Sequence, residues 1–470
     1  MTTAIVWFRR DLRLADHPAL HAAASSHERV LPLYIHAPGE EGGWAAGAAG
    51  RWWLHHSLSS LRAAWRKHRA DLYIGSGESL SVLRETIHRS GATAVYWNRL
   101  YEPASIARDS HIKKVLRAEG IEVRSFNAAL WCEPWDIATQ QGQPYRVFTP
   151  FWRNLRPQLT LETPLPVPTP LRVADMSGSL PIEALDLLPH IAWDAGMREA
   201  WTPGEAGAQS MLELFADDAL NDYANGRDIP SRHGTSRLSP HLHFGEISPR
   251  QIHHALHLGT QRRDLKRRPD LEPYLRQLGW REFAHHLLYH FPNTPKENFN
   301  AGFDRFVWAK ANQTQLRRWQ QGRTGIPLVD AGMRELWHTG WMHNRVRMIA
   351  ASFLTKNLRQ HWQHGARWFW DTLVDADLAN NTMGWQWVAG SGADAAPYFR
   401  VFNPVTQARK FDPTGAYLRR WLPELAEASD KLLYEPWTDP GLLKRTGYPA
   451  PMIDLSASRQ NALSAYHAMR

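Results

Sequence analysis

Short hydrophobic runs and longer helical patterns alternate along the first 130 residues. This rhythm predicts βαβ units, and therefore a parallel sheet covered by helices. The runs read as strands at 4–8, 30–35, 71–75, 94–98 and 122–126. The helical patterns between them begin at Asp16 with Pro18 and continue at 51–68, 79–90 and 104–119. No G-x-G-x-x-G or Walker pattern follows the first strand, so the sheet lacks the usual dinucleotide or nucleoside triphosphate fingerprint.

The pattern changes twice further along the chain. Residues 150–190 are rich in proline, which disfavours helix and sheet interiors and predicts an extended connector. From about residue 195 apolar positions recur at spacings of three and four, as in an amphipathic helix. We therefore expect an α/β domain over 1–130, a linker over 131–195 and an all-helical domain over 196–470. A chain of 470 residues is long enough for two cores.

The amino-acid composition indicates which kind of binding partner and which cellular compartment to expect. The net charge of +9 and the pI of about 9.6 favour an anionic partner such as nucleic acid. The single cysteine, Cys132, excludes an internal disulfide framework and a cysteine-rich metal site. It also fits a reducing compartment, so we expect a cytoplasmic protein. No secretory or twin-arginine signal and no run of about 18 apolar residues is present, which predicts no membrane association.

One stretch, DADLANNTMGWQW at 375–387, combines two aspartates, two asparagines and two tryptophans. Burying a carboxylate beside large rings is costly unless a donor or a cation faces it, so a bound polar partner is one interpretation. The other is a helix entry, with Asp375 or Asp377 as the N-cap and the tryptophans in the core. Arg347, in TGWMHNRVRMIAASFLTK, is placed to meet one of the two carboxylates. The count of 23 tryptophans suits a protein that handles flat aromatic groups.

Other motifs allow two interpretations each. GTSRLSPHLHFGEISPR at 234–250 offers hydroxyls, backbone N–H groups and Arg237 to a phosphate, but capping serines at a helix start explain it equally. QRRDLKRRPD at 261–270 reads as a solvated turn or as a phosphate contact. Histidine pairs such as His241 with His243 have metal-ligand spacings, yet 24 histidines produce such pairs by chance, so we expect no metal site.

Seven motifs together closely resemble the photolyase and cryptochrome family, in the expected order and over nearly the whole chain. They are WFRRDLRLADHPAL, YRVFTPFWR, GTSRLS, GWREF, TGWMHNRVRM, DADLANNTMGWQW and DAAPYFRVFNP. The resemblance is strongest to microbial photolyases of cyclobutane pyrimidine dimers, with RWWLHHSL and DADLAN similar to the branch that neighbours plant cryptochromes. It implies a Rossmann-like antenna domain and a helical domain that holds FAD folded into a U.

The resemblance also implies roles for individual residues of the flavin site. Asn381 matches the position opposite flavin N5, where plant cryptochromes carry an aspartate, so it favours repair over signalling. Gln277 stands where the family usually has a glutamate in the lesion pocket, and an amide supplies no carboxyl proton. The residues that match flavin contacts are Tyr223, Thr235, Ser236, Arg237, Leu238, Ser239, Arg281, Asn344, Arg347, Asp375, Asp377 and Asn381.

Further matches concern the lesion and the path of electrons. Trp280 and Trp387 match two aromatic walls of a lesion pocket, which Met348 and Asn344 also line. Arg227 and Arg400 match phosphate contacts beside it. The family's electron relay from the flavin to the surface matches Trp385, Trp362 and Trp308. A side branch of this relay could run through Trp368 or Trp370.

The implied activity is light-driven repair of dimers in ultraviolet-damaged DNA by a monomeric carbon–carbon lyase. Two alternatives stay open: a cryptochrome-type photoreceptor, and repair of the six-four photoproduct, which needs a histidine pair where only His343 is evident. A second chromophore is also implied. Methenyltetrahydrofolate is favoured and a deazaflavin is possible, but the family's acidic folate contact falls at Ser105, so the folate would bind differently, for example near Glu40.

Overall fold

A parallel sheet forms the first part of the fold, as the hydrophobic pattern predicts. The computed structural model describes residues 2–261, 270–395 and 399–469. The strands are β1 Thr3–Phe8, β2 Arg29–His36, β3 Tyr73–Ser76, β4 Ala94–Asn98 and β5 Glu122–Phe126. Their order across the sheet is β3-β2-β1-β4-β5, and every neighbouring pair is parallel. The order reverses between β1 and β4, which is where open α/β sheets form a crevice at their carboxyl edge.

Helices cover both faces of this sheet because successive side chains of a strand point to opposite faces. They are α1 Pro18–Ser26, α2 Ala48–Lys67, α3 Ser79–Ser90 and α4 Pro103–Ala118. Val6 and Phe8 of β1 join the core formed with α1 and α2, whereas Ile5 and Trp7 join the core formed with α3 and α4. All four side chains are almost fully buried.

The start of α1 differs in detail from the sequence prediction. His17, not Asp16, is the N-cap, and its side chain accepts a hydrogen bond from the backbone N–H of Leu20. Asp16 instead accepts from the Ser248 hydroxyl at 2.6 Å and from Arg250 at 3.1 Å. This buried aspartate therefore joins the α/β domain to the helical domain, a use that local sequence could not reveal.

The proline-rich connector is extended only in part. Its first residues belong to α5 Phe148–Leu155, so the prediction of an extended segment from residue 150 is wrong there. Pro150 is tolerated because it lies in the first turn, where its missing N–H costs nothing. Beyond α5 the chain runs beside the sheet, where Ala174 donates to the carbonyl of Val30 and Leu180 to that of Ile74.

The remainder of the described chain is helical, as predicted. The helices are α6 Ala195–Ala200, α7 Glu205–Asp217, α8 Tyr223–Gly226, α9 Ser239–His243, α10 Pro249–Gln261, α11 Glu272–His290, α12 Gln313–Gln320, α13 Pro327–Thr339, α14 Asn344–Ser352, α15 Trp362–Thr372, α16 Leu378–Ala389, α17 Pro404–Phe411, α18 Ala416–Trp421, α19 Asp430–Tyr434, α20 Pro440–Thr446 and α21 Leu455–Met469. A π-helical turn, Phe353–Asn357, follows α14. Within the described ranges no helix is both long and apolar enough to cross a membrane.

The two parts are closely joined at the loop after β1. The backbone N–H of Leu12 donates to the carbonyl of Phe244, and Arg13 donates to that of Gly245. Gly245 adopts φ +65°, and a Cβ there would lie 2.2 Å from the carbonyl oxygen of Arg10. Only glycine allows this close approach, so the turn after α9 fixes how the helical domain meets the sheet.

Candidate functional site

A cavity of about 610 Å³ opens between α11, α14, α15 and α16. These helices all belong to the helical domain. The residues that face the cavity include those that the sequence motifs predict for a cofactor and lesion site. The polar and aromatic residues that line it are Arg227, Gln277, Trp280, Arg281, Asn344, Arg345, Arg347, Phe369, Asp375, Asp377, Asn380, Asn381, Trp385, Trp387 and Arg400, with Met348 among its apolar residues. Residues more than 100 positions apart thus form one site.

An ion pair between Arg347 and Asp375 lies at the centre of this cavity. The guanidinium Nη2 is 2.8 Å from Asp375 Oδ2, which also accepts a hydrogen bond from the Ser239 hydroxyl at 2.7 Å. The Asp375 side chain is 4% exposed, and its Oδ1 has no hydrogen-bond partner among the described residues. A buried carboxylate oxygen without a donor is costly, so this atom fits a polar ligand that enters the cavity.

Asp377 has a different environment two residues along. Its Oδ1 accepts from the backbone N–H of Asn380 at 2.8 Å, which makes it the N-cap of α16. Its Oδ2 lies 3.6 Å from His243 Nδ1 and 3.5 Å from His285 Nε2. Burial alone would raise the pKa of Asp377, but the two nearby histidines outweigh it and hold the pKa well below its usual range. The helix-entry interpretation is therefore seen at Asp377, while the bound polar partner stays a prediction for Asp375.

The asparagines and the methionine of the two motifs also face the cavity. Asn381 Nδ2 donates to the carbonyl of Ala366 on α15 at 3.1 Å, which fixes the amide against that helix. Asn344 begins α14 and lies 4.0 Å from Met348 Sδ, one helical turn further on. All three side chains lie at the positions that the sequence predicts for a cofactor and lesion site.

Aromatic rings and cations form the rest of the lining. The Trp280 ring stacks on Phe148, with centroids 3.7 Å apart and planes 11° apart, which holds it as a flat wall. Trp387 lines the same cavity, as do the exposed Arg400 and the part-buried Arg227. Gln277 lines it too, and its amide makes only a long contact, 3.4 Å, to the carbonyl of Pro273. These side chains are consistent with an anionic ligand that carries planar rings.

The segment 235–239 lies beside this cavity, and only part of it faces a pocket. Arg237 adopts the left-handed φ of +52° and, with Thr235, lines a neighbouring cavity of about 490 Å³. Ser236 accepts a hydrogen bond from the Tyr274 hydroxyl at 3.1 Å. Leu238 is buried in the core. Ser239 makes no side-chain cap at the start of α9, and its hydroxyl reaches Asp375 instead.

Two further residues that the sequence predicts as cofactor contacts, Tyr223 and Arg281, are in contact with other groups of the protein. Tyr223 is buried, and its ring packs against those of Phe215 and Tyr274. Arg281 lines the main cavity, but its Nη1 donates to the carbonyl of Ala129 at 2.7 Å. Neither contact excludes a ligand, and both residues stay predictions as cofactor contacts.

The three tryptophans proposed as a relay lie on one side of the cavity. Trp385 lines it and is buried against α15, where a Cβ on Gly365 would lie 2.0 Å from its ring. Trp362, the first residue of that helix, is also buried. His361 connects it to the part-buried Trp308, with ring centroids 5.7 Å from Trp362 and 5.0 Å from Trp308. His361 thus links the Trp362 and Trp308 members of the predicted relay, and the relay itself stays a prediction.

The possible branch residues point elsewhere. Trp368 stacks in parallel on the exposed Trp337, with centroids 6.0 Å apart. Trp370 meets Trp44 of the α/β domain, 5.2 Å away, and its indole N–H donates to the carbonyl of Ala45. A path through Trp368 would therefore reach the surface, whereas one through Trp370 would reach the domain interface.

A second cavity of about 330 Å³ lies between the domains, which we call the interdomain cavity. It lies at the carboxyl edge of the sheet, where the strand order reverses. Ser105 lines it, as predicted for the antenna site, but Glu40 does not, and the acidic lining residues are Glu41 and Glu102. Glu40 instead accepts hydrogen bonds from the backbone N–H and the hydroxyl of Ser79. Glu40 itself thus lies outside the lining, and a folate near it stays a prediction.

The histidine and charge motifs do not build a metal site where the structure can be described. No group of three or more possible ligands from His, Cys, Asp and Glu occurs among residues 2–261, 270–395 and 399–469. His241 pairs with the buried Glu246 at 2.5 Å. His343 caps α14 and lies outside the lining of the main cavity, in which no described residue is a histidine. Of the charge run 261–270, residues 262–269 lie outside the described residues.

Sequence reasoning missed three features of the site. Phe148, which supports Trp280, lies in the motif YRVFTPFWR, but the sequence alone indicates no role for it. His243 and His285 flank Asp377. From the sequence, His243 is only a possible metal ligand, and nothing singles out His285. Arg345 lines the cavity and forms a bidentate pair with Asp228, at 2.8 and 2.9 Å. Only the long-range packing of α9, α11 and α14 reveals these contacts.

Comparisons with known proteins agree with this geometry. A family model described as DNA photolyase matches residues 4–170, and one described as FAD binding domain of DNA photolyase matches residues 274–468. A deoxyribodipyrimidine photo-lyase of Agrobacterium fabrum is 45% identical over 99% of this chain and 98% of its own length. Cryptochrome-2 of Arabidopsis thaliana is 38% identical over 97% of this chain and 77% of its own length. The crystal structure of a bacterial class III photolyase from Agrobacterium tumefaciens superposes with a TM-score of 0.94 at 44% identity, covering 100% of this chain and 98% of that one.

Proposed function

Because this chain belongs to the DNA photolyase and cryptochrome family, we propose that it repairs cyclobutane pyrimidine dimers in DNA with light and FAD. The observation that carries this proposal is the composition of one cavity. A buried carboxylate oxygen without a donor, flat aromatic walls and the cations Arg227 and Arg400 lie together in it. The relative from Agrobacterium fabrum, which bears the name deoxyribodipyrimidine photo-lyase, supports the same activity.

The residues of the cavity fit a flavin. When bound, FAD supplies the light-driven electron chemistry, and the protein supplies binding, orientation and electrostatics. Arg347 and Ser239 hold Asp375 Oδ2, which leaves Oδ1 free to accept a hydrogen bond from the ligand. Asn381, fixed by its bond to α15, presents a neutral amide, which can face a reduced flavin without adding charge. Thr235, Ser236 and Arg237 would hold the phosphates.

The outer part of the same cavity would hold the lesion. Photolyases as a class take their target bases out of the duplex, and stacking on Trp280 and Trp387 rewards either pyrimidine, because every base has a flat face. Arg227 and Arg400 would contact the phosphates on either side. Gln277 supplies an N–H to a pyrimidine carbonyl but no carboxyl proton, so it would orient the dimer without acting as an acid.

Two accessory roles complete the proposal. Trp385, Trp362 and Trp308 would carry an electron to the oxidised flavin through buried rings. The interdomain cavity would hold a second chromophore, with methenyltetrahydrofolate favoured over a deazaflavin. Its support is the position at the carboxyl edge of the sheet and a lining that combines Trp7 with the cations Arg9 and Arg108.

A repair assay tests the central proposal. The flavin-loaded and reduced protein is mixed with a duplex that carries one defined cyclobutane dimer, and the loss of the dimer is followed under blue light and in the dark. We expect repair in the light only. A matched duplex with one six-four photoproduct serves as the control, and we expect no repair of it because no described cavity residue is a histidine. Bound flavin without repair of either lesion would favour the cryptochrome alternative, to which the similarity to cryptochrome-2 points.

A further inference from the structure

The wall between the two cavities is one short segment of chain, residues 374–378, which leads from the turn after α15 to the first residue of α16. Asp375 and Asp377 line the main cavity, and Val374 and Leu378 line the interdomain cavity, while Ala376 borders both. The flavin site proposed above is therefore separated from the antenna side of the molecule by a single segment of chain.

His243 spans this wall. It is the last residue of α9, its ring lines the interdomain cavity, and its Nδ1 lies 3.6 Å from Asp377 Oδ2. That Nδ1 is buried and has no hydrogen-bond partner among the described residues. The ring therefore has one nitrogen towards Asp377 and belongs, through its other edge, to the lining of the opposite cavity. No other titratable side chain of the described residues that line the interdomain cavity lies within 4 Å of Asp377.

We propose that His243 passes protons between the interdomain cavity and Asp377, so that the proton needed for flavin reduction enters from the antenna side and not from the DNA side. The inference rests on the proposed function, because it requires a flavin in the main cavity. Its consequence is that bound DNA, which would cover the opening of that cavity, leaves the proton supply open.

Each transfer conserves protons and electrons. His243 takes a proton from water on Nε2 and releases the proton of Nδ1 to Asp377 Oδ2, so the ring is neutral before and after with its tautomer exchanged. Asp377 then releases that proton into the main cavity and becomes a carboxylate again. The electron arrives separately through the proposed tryptophan relay from an added thiol, which becomes a thiyl radical and releases its own proton to the buffer, so the flavin gains one electron and one proton.

The groups around Asp377 suit a carrier that holds a proton only briefly. His285, from α11, lies on its other side, and its Nδ1 is 2.9 Å from the carbonyl of Arg281, so that nitrogen must carry the hydrogen. From the α/β domain, Arg10 forms an ion pair with Glu102, and the Tyr101 ring packs against His285. Burial would raise the pKa of Asp377, but the two histidines outweigh it and hold the pKa well below its usual range, so Asp377 begins as a carboxylate able to accept a proton.

His285 provides a matched control. It touches the same carboxylate oxygen at nearly the same distance, 3.5 Å against 3.6 Å, and is equally buried. It lines neither of the two cavities, however, so it cannot take a proton from the interdomain cavity. A purely structural role of the histidines would make the two substitutions equivalent, whereas proton transfer would make them differ.

The experiment measures electron and proton arrival separately. The FAD-loaded protein is oxidised, given a thiol and excited by a flash in weak buffer. Flavin absorbance reports the electron, and a pH-indicator dye reports the proton. In His243→Ala we expect an unchanged electron rate and proton uptake slowed by about 10²-fold, the lower end of what a positioned acid–base group contributes. Added imidazole should restore the rate by entering the interdomain cavity. His285→Ala removes one of the two histidines that lower the pKa of Asp377, so it should slow proton uptake less than His243→Ala does and should not respond to imidazole.

Three results would overturn the inference: native proton uptake in His243→Ala, slowing without rescue by imidazole, or native uptake that stops when saturating dimer-containing duplex is added. If His243→Ala loses its flavin, His243→Gln keeps an N–H towards Asp377 but carries no proton, and the same slowing is expected. Loss of flavin from both variants would make His243 structural and would end the proposal. The proposed function fails separately, if the native protein binds no flavin or repairs no dimer.

Discussion

Removing the arginine of the central ion pair should be among the most damaging single changes in the site. Arg347→Ala leaves Asp375, whose side chain is 4% exposed, with the Ser239 hydroxyl as its one remaining hydrogen-bond donor among the described residues. Breaking a buried pair costs about 3–5 kcal/mol, because the remaining charge is uncompensated. Arg347 itself is 24% exposed, so water from the cavity reaches the site and the lower end of this range applies.

We therefore expect Arg347→Ala to lower the free energy of unfolding by about 3 kcal/mol at pH 7.

Urea unfolding at pH 7 measures this loss, and the ratio of flavin to protein absorbance measures cofactor retention. Arg347→Ala should purify with little flavin. Arg409→Ala is the control, since Arg409 and its partner Glu435 form a surface ion pair, and such pairs contribute about 1 kcal/mol or less. A yellow Arg347→Ala protein with native stability would refute the placement of this pair at the flavin.

Three further predictions concern the main cavity and the neighbouring cavity of about 490 Å³. Trp385→Phe should block light-driven reduction of oxidised FAD yet leave repair by chemically pre-reduced protein nearly intact, and Trp387→Ala should do the reverse, as flash absorbance beside dimer repair would show. Arg400→Ala should weaken binding to damaged and undamaged duplex alike and lower the salt slope by about one unit, whereas Trp280→Ala should cost roughly 1–3 kcal/mol, mainly on damaged DNA, in binding titrations at several salt concentrations. Burial raises the pKa of Glu335 from 4.5 to about 7, so the folded protein holds a proton that the unfolded chain loses between these values, and stability should fall as the pH rises through this window. Glu335→Gln should match the native protein near pH 4.5 and exceed it by about 3 kcal/mol at pH 8 in urea unfolding.

The order of secondary structure was readable from the sequence because it depends on local periodicity. The runs at 4–8 and 94–98 became the central strands β1 and β4, within one residue of the predicted limits. Errors arose where a residue served a distant partner. Asp16 looked like a helix cap, but it binds Ser248 and Arg250 of the other domain. Such contacts span more than 200 positions and leave no local pattern.

The functional site likewise contains features that local sequence predicts and features that depend on long-range packing. The pairing of Arg347 with an aspartate was predictable, since both residue types stood in helical motifs and a buried carboxylate needs a cation. The support of Trp280 by Phe148 was not, because stacking at 3.7 Å depends on how α5 packs on α11. The position of the interdomain cavity against 374–378 could not be read either, because it results from docking two domains.

The two aspartates of the stretch DADLANNTMGWQW show why one sequence pattern can carry two roles. Asp375 and Asp377 both line the main cavity. Only the second is followed at once by a helix, and the N–H of Asn380 therefore claims one of its oxygens while Asp375 keeps one oxygen free. The free oxygen suits ligand binding. The capped carboxylate, held in place by α16 and facing two histidines, suits charge and proton handling. A difference of two positions relative to a helix start thus separates binding from proton supply at one wall of the cavity.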